Sequence, residues 1–163
     1  MGERKDCSPA ERIALEGLRV SGGLALMEVA DRSYAGERLP RMLGELARAE
    51  ISMSLFMGGE TQEEIRFACC VADSDGARLK ADPNRDFSTG VKFYAGVDLV
   101  ALFPHGFDLK RLGLGLAALA RAGIPLRGVC SSLSAITFIT DHTHSDQAAA
   151  ALKGYFDPGA EAS

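Results

Sequence analysis

Gly17-Leu18-Arg19-Val20-Ser21-Gly22-Gly23-Leu24-Ala25-Leu26 and Gly90-Val91-Lys92-Phe93-Tyr94-Ala95-Gly96-Val97-Asp98-Leu99 lie 73 positions apart and open the same pattern twice. Gly17 falls on Gly90, Gly23 on Gly96 and Leu26 on Leu99. Farther along, Leu39 and Leu43 fall on Leu112 and Leu116, Leu46-Ala47-Arg48-Ala49 on Leu119-Ala120-Arg121-Ala122, and Ile51 on Ile124. No gap is needed from Gly17–Met57 to Gly90–Cys130, and 11 of those 41 positions are identical. Helix composition accounts for some of these matches but not for the glycines and strand positions together, so the chain reads as a tandem repeat. After a longer turn in the first copy, Ile65-Arg66-Phe67 matches Ile136-Thr137-Phe138.

Each copy can be read locally. In the first, Gly17–Ser21 and Leu24–Ala30 read as short strands, and Gly22-Gly23 between them is a hairpin signal. Arg38–Glu50 has apolar residues at helical spacing, Ile51–Met57 is extended, and Gly58-Gly59 predicts a turn. Ile65, Phe67, Cys69 and Val71 alternate as in a strand, and a poor helix, Asp75 to Ala81, ends before Pro83. In the second copy Val91–Tyr94 and Val97–Phe103 are strands. Asp108 suits the N-cap of a leucine-faced helix that Gly123 and Pro125 terminate. Leu126–Cys130 and Ala135–Thr140 are strands about Ser131-Ser132, and Ser145 suits the cap of a last helix, Ser145 to Phe156.

The order is β-β-α-β-β-α, twice; rotated by one strand it is β-α-β-β-α-β, the ferredoxin-like order. The second copy ends with its helix and a polar stretch, Asp157–Ser163, without a closing strand. Gly17–Ser21 can fill that place, and Val91–Tyr94 can close the first unit. The predicted organisation is α+β with one unit inserted in the other: residues 1–14 loose, 24–95 the first unit, 15–23 plus 96–156 the second, and 157–163 a tail. The rival is a pair of local hairpins, each unit complete in itself.

The 163 residues are 47% hydrophobic and 25% charged, enough for a core, and the net charge of −4 gives no basic footprint for nucleic acid or an anionic membrane. No apolar run approaches a membrane span and Met1–Arg12 has no apolar signal segment. Cys7, Cys69, Cys70 and Cys130 form no C-x-x-C spacing, and neighbouring strand residues point to opposite faces, so a cytoplasmic protein with reduced thiols and neither metal nor cofactor is expected.

The strand Leu99-Val100-Ala101-Leu102-Phe103, the helix ending Leu119-Ala120-Arg121-Ala122-Gly123-Ile124-Pro125, and Ser131-Ser132-Leu133-Ser134-Ala135-Ile136-Thr137-Phe138 resemble an ACT domain, and Leu24–Asp82 resembles one more faintly. The doubled arrangement resembles the tandem ACT regulatory region of aspartokinases. The resemblance implies two ferredoxin-like units, each a four-stranded antiparallel sheet with two helices, that bind an amino acid near the loop from first strand to first helix, often across an interface. No phosphate-loop or dinucleotide fingerprint accompanies it, so a stand-alone sensor rather than an enzyme is expected, with a second copy of itself and an enzyme of amino-acid biosynthesis as candidate partners.

Backbone N–H groups at a helix N-terminus suit the carboxylate of an amino acid. That picks out His105, Gly106, Phe107 and Asp108 before the second unit's first helix, and Asp31, Ser33 and Tyr34 in the equivalent loop. The neighbouring strand offers Val129, Cys130 and Ser131, whose main-chain groups can equally pair with another subunit. Asp108 can be only a cap and His105 only a solvated loop residue. Two other readings compete. One is a dimerising module without ligand. The other is an enzyme with Cys130 as nucleophile and His105, His142 or His144 as base, or with His142-Thr143-His144 as half a metal site.

Overall fold

The computed structural model describes residues 13–15, 17–31, 38–60, 64–82, 90–103 and 109–158. In chain order they form β1 (Ile13–Leu15), β2 (Gly17–Asp31), α1 (Arg38–Arg48), β3 (Met53–Glu60), β4 (Ile65–Ala72), α2 (Asp73–Ala81), β5 (Val91–Phe103), α3 (Leu109–Arg121), β6 (Leu126–Ser131), β7 (Ile136–Asp141), α4 (Ser145–Tyr155) and β8 (Phe156–Pro158). The chain divides into two compact units: Gly22–Asp98 is one, and the segment up to Ser21 together with Leu99–Ser163 is the other. Each takes part of β2 and part of β5.

In the contiguous unit the elements run βαββαβ and the strand order is β3-β4-β2-β5. The second unit has strand order β2-β5-β7-β6, with α3 and α4 as its helices. These are the two ferredoxin-like units that the repeat implies. β4 lies antiparallel to both neighbours, with Leu26 opposite Cys70 on one side and Phe56 opposite Cys69 on the other. β6 and β7 are antiparallel, with Val129 opposite Phe138.

Gly22-Gly23 makes no hairpin: β2 runs unbroken for 15 residues, and β5 runs unbroken for 13 through Gly96. Both glycines hold left-handed backbone, Gly23 at φ 73° and Gly96 at φ 66°. A left-handed glycine is accommodated inside each strand without reversing the chain. In the contiguous unit Ala25, Met27 and Val29 of β2 pack in the core, joined by Val91 and Phe93 of β5; all are odd-numbered. In the other unit Leu18 of β2 and Val100 and Leu102 of β5, all even-numbered, pack in the core.

The Gly58-Gly59 turn is also corrected, because β3 continues through both to Glu60. Gly58 faces Phe67, whose ring would stand 2.8 Å from a β-carbon there, so the glycine leaves room for an aromatic ring across the ladder. Phe67 in turn stacks on Phe56.

Both first helices end alike. Ile51 N–H donates to the Leu46 carbonyl and Ile124 N–H to the Leu119 carbonyl, each at 3.0 Å. Glu50 and Gly123 take the left-handed conformation at φ 54° and 69°. This is the Schellman closure, with buried Ile51 and Ile124 as its apolar seal. The 73-residue repeat is thus a repeat of backbone geometry, and in the first copy Glu50 adopts a conformation that glycine adopts more easily.

Three end assignments change. Asp157 and Pro158 belong to β8, which pairs in parallel with β1 (Ile13 opposite Phe156), so neither the loose N-terminus nor the polar tail reaches as far inward as expected. Residues 1–12 and 159–163 lie outside the described residues. Ser145 is not a cap: it is the first residue of α4, and its hydroxyl donates to the His142 carbonyl at 3.0 Å across a 3-10 turn, His142–His144. Within β5, Val97, Leu99, Val100 and Leu102 are all buried within the chain.

Helix packing depends on missing side chains. In α3 a β-carbon on Gly115 would stand 2.7 Å from Phe138 Cζ, and in α2 one on Gly76 would stand 2.7 Å from the Ala25 β-carbon. Gly113, by contrast, sits on the exposed side of α3 with open space around it. Gly115→Ala should destabilise the protein by about 1–3 kcal/mol through overpacking, whereas Gly113→Ala should stabilise it by roughly 0.4–1 kcal/mol. Urea unfolding midpoints check both; equal shifts would mean that α3 does not seat on Phe138 through Gly115.

Candidate small-ligand site

In each unit the strand that leads into the first helix does so through a short connection. β2 ends at Asp31 and α1 starts at Arg38; β5 ends at Phe103 and α3 starts at Leu109. His105, Gly106, Phe107, Asp108, Ser33 and Tyr34 lie outside the described residues. Asp31 closes β2 opposite Ile65.

Arg38, the first residue of α1, reaches back past the loop, and its guanidinium donates to the Ala30 carbonyl at 3.1 Å. Ala30 N–H in turn meets the Gly90 carbonyl at 3.4 Å. The guanidinium also lies over Gly90, at φ 89°, where any β-carbon would collide with it. A cation is therefore held beside the N-terminal turn of α1, a turn without acidic residues. Helix N–H groups and a guanidinium together favour a carboxylate. Arg38 did not emerge from reading the loops. Its signal was the repeat itself, because Arg111 stands 73 positions later in the first turn of α3.

Val129, Cys130 and Ser131 lie on β6, which is terminal in its unit's strand order. Val129 packs against the core, Cys130 is half-buried opposite Thr137, and Ser131 is exposed opposite Ile136. The strand is pinned at its start. A bulge falls between Leu126 and Gly128, Arg127 grips Asp141 with two bonds of 3.0 and 3.2 Å, and the Thr140 hydroxyl donates to the Pro125 carbonyl at 2.8 Å. Its far end is set by the turn in which Ser132 N–H donates to the Ala135 carbonyl at 2.9 Å. β6 thus presents fixed main-chain groups.

Cysteine chemistry divides by burial. Cys69 and Cys70 are fully buried, and loss of solvent pushes their thiols up to about 11 and about 12, the second raised further by Cys69 beside it. Such thiols are protonated and inert at neutral pH. Among the described residues no group of three His, Cys, Asp or Glu is placed to hold a metal ion, and no helix is long and apolar enough to cross a membrane.

No family model matches the sequence and no curated protein matches it. Solved structures do match. The ligand-free regulatory subunit of aspartate kinase from Thermus thermophilus aligns over 88% of this chain and 99% of its own, with a TM-score of 0.76 at 13% identity. The corresponding subunit from Thermus flavus gives the same coverage and TM-score at 16% identity. E. coli aspartokinase III in complex with lysine and aspartate aligns over 91% of this chain but 34% of its own, with a TM-score of 0.62 at 17% identity. The fold is that of the aspartate kinase regulatory region, and the chain spans about a third of the full-length enzyme's chain.

Raised thiol values tie stability to alkaline pH. A thiol unfolds to an ordinary value of 9.0, so above that pH the unfolded chain has lost protons that the folded chain still holds. The contribution of these thiols to stability should be constant below about pH 9 and fall between pH 9 and 11–12. A Cys69→Ala, Cys70→Ala variant should lose much of that slope. Urea denaturation at pH 8 and pH 10.5 measures it, and an undiminished slope would place the titrating groups elsewhere.

Proposed function

We propose that this chain is an ACT-type regulatory protein that binds an amino acid and through it controls an enzyme of amino-acid biosynthesis. The carrying observation is the alignment to nearly the whole length of two aspartate kinase regulatory subunits. Asp31 at the end of β2, Ser33 and Tyr34 before α1, and His105, Gly106, Phe107 and Asp108 before α3 are the proposed contacts. There the carboxylate would meet helix N–H groups with Arg38 or Arg111 near by, and the ammonium would meet Asp31 or Asp108. Amino acids of the aspartate family come first as candidates, since one matched enzyme was captured with lysine and aspartate.

Differential scanning fluorimetry of the full chain against the protein amino acids tests the reading. A ligand at about one hundred times its dissociation constant adds roughly 2.7 kcal/mol, which at this size raises Tm by about 5–10 °C. Arg38→Ala or Arg111→Ala should reduce the rise in whichever unit binds. No shift with any amino acid would leave a ligand-free interaction module as the better description.

A homodimer is part of the proposal, on the ground of the sheet edges. β3 and β6 are terminal strands. β3 carries exposed Met53 and Phe56 and no charge before Glu60, whereas natural edges are commonly blunted with charge or proline. Light scattering at micromolar concentration should return the mass of two chains. A single-chain mass would refute pairing at these edges.

A further inference from the structure

The 73-residue offset that carries Arg38 onto Arg111 also carries Gly17 onto Gly90 and Ala30 onto Phe103. The two copies differ at this place. In the contiguous unit the Arg38 guanidinium donates to the Ala30 carbonyl at 3.1 Å and covers Gly90, which holds left-handed backbone at φ 89°. In the other unit Gly17 is not among the left-handed glycines. A β-carbon on Gly17 would meet nothing within 4 Å, so no guanidinium covers it.

An arginine side chain loses much rotamer freedom when it is held in one place. Arg38 is confined from two sides, by the Ala30 carbonyl and by the bare backbone of Gly90. The carbonyl is uncharged, so this bond orients the guanidinium without cancelling its charge. Any side chain at position 90 would enter the space that the guanidinium fills. The guanidinium is the far end of a flexible chain, so it would give way before the backbone did. A guanidinium placed in advance meets a carboxylate at lower entropic cost than one that must first be ordered. We propose that Gly90 is a positioning residue: by lacking a β-carbon it seats Arg38 beside the end of β2, and so sets this unit's preference for a ligand that carries a carboxylate. The inference rests on the amino-acid reading above and adds to it that the two copies are not equivalent, since Gly17 seats no guanidinium.

One arm of the test needs no ligand. In nitrogen-15 NMR of the full chain, the Arg38 side-chain signal, assigned by its loss in Arg38→Lys, should be displaced from that of free arginine. Gly90→Ala should return it there and Gly17→Ala should not. The second arm uses calorimetry with L-lysine, one of the candidates above. Gly90→Ala should weaken lysine about ten-fold or more, as expected when a bond to a charged group is lost, and should add nothing in an Arg38→Ala background. Lysinamide, which lacks the carboxylate, should bind both chains alike. An Arg38 signal already at the free position overturns the proposal. So does an equal loss of lysine affinity with and without Arg38, since Gly90 then acts only on the fold. If lysine does not bind the unaltered chain, that candidate ligand fails and the Arg38 signal alone decides whether Gly90 seats it. Should Gly90→Ala not fold, Gly90→Asn replaces it, because asparagine tolerates left-handed backbone but still brings a β-carbon.

Discussion

A β-strand shows alternate residues to opposite faces, so each part of a strand shared by two units must turn its apolar positions to its own unit's core. β2 and β5 each contribute to two units, and everything else depends on that sharing. Gly23 and Gly96 hold left-handed backbone within the two shared strands. Ala25, Met27 and Val29 of β2 enter one core and Leu18 the other. Helix seating, the loops before α1 and α3, and the candidate site follow from that sharing.

Given the shared strands, the two copies pack differently with the same topology. Gly115 of α3 aligns with Met42 of α1 in the 73-residue repeat. Where the first copy buries a methionine side chain, the second leaves a gap that Phe138 fills, in a core with Leu119 and Leu152. Close packing requires total volume to be conserved rather than each side chain, and the exchange of Met42 for Gly115 is compensated in that manner. Tyr155 adds a tie particular to the second copy: its hydroxyl accepts a bond of 2.8 Å from Arg121, joining α4 to α3.

The helices and the ferredoxin-like order were legible because both rest on local periodicity, and the repeat supported them with a second copy. What misled were glycines. Gly22-Gly23 and Gly58-Gly59 carry turn composition, yet the first lies inside an unbroken strand and the second in a strand crossed by Phe67. Sequence composition reports the backbone freedom of glycine without reporting whether it serves a turn, a strand interior or a close approach. β8 was missed for another reason. A three-residue strand containing Pro158 has too little pattern to register, and its partner Ile13–Leu15 is supplied from the far end of the chain. Of the candidate site, the edge strand β6 could be read from composition. Arg38 could not be read from its loop, because it acts from the helix across to Ala30.

The closeness of Gly22 to Asp98, whose Oδ1 would lie 2.9 Å from a β-carbon on Gly22, bears on how such a chain can arise. A segment whose two ends lie side by side can be spliced into a host strand pair without stretching either flank, as inserted domains generally require. Gly22–Asp98 is such a segment. Duplication of an ancestral unit followed by entry of one copy into the other would produce this architecture. The 73-residue echo in the sequence, with left-handed backbone at Gly23 and Gly96 in the strands and at Glu50 and Gly123 after the first helices, is the record such a history would leave.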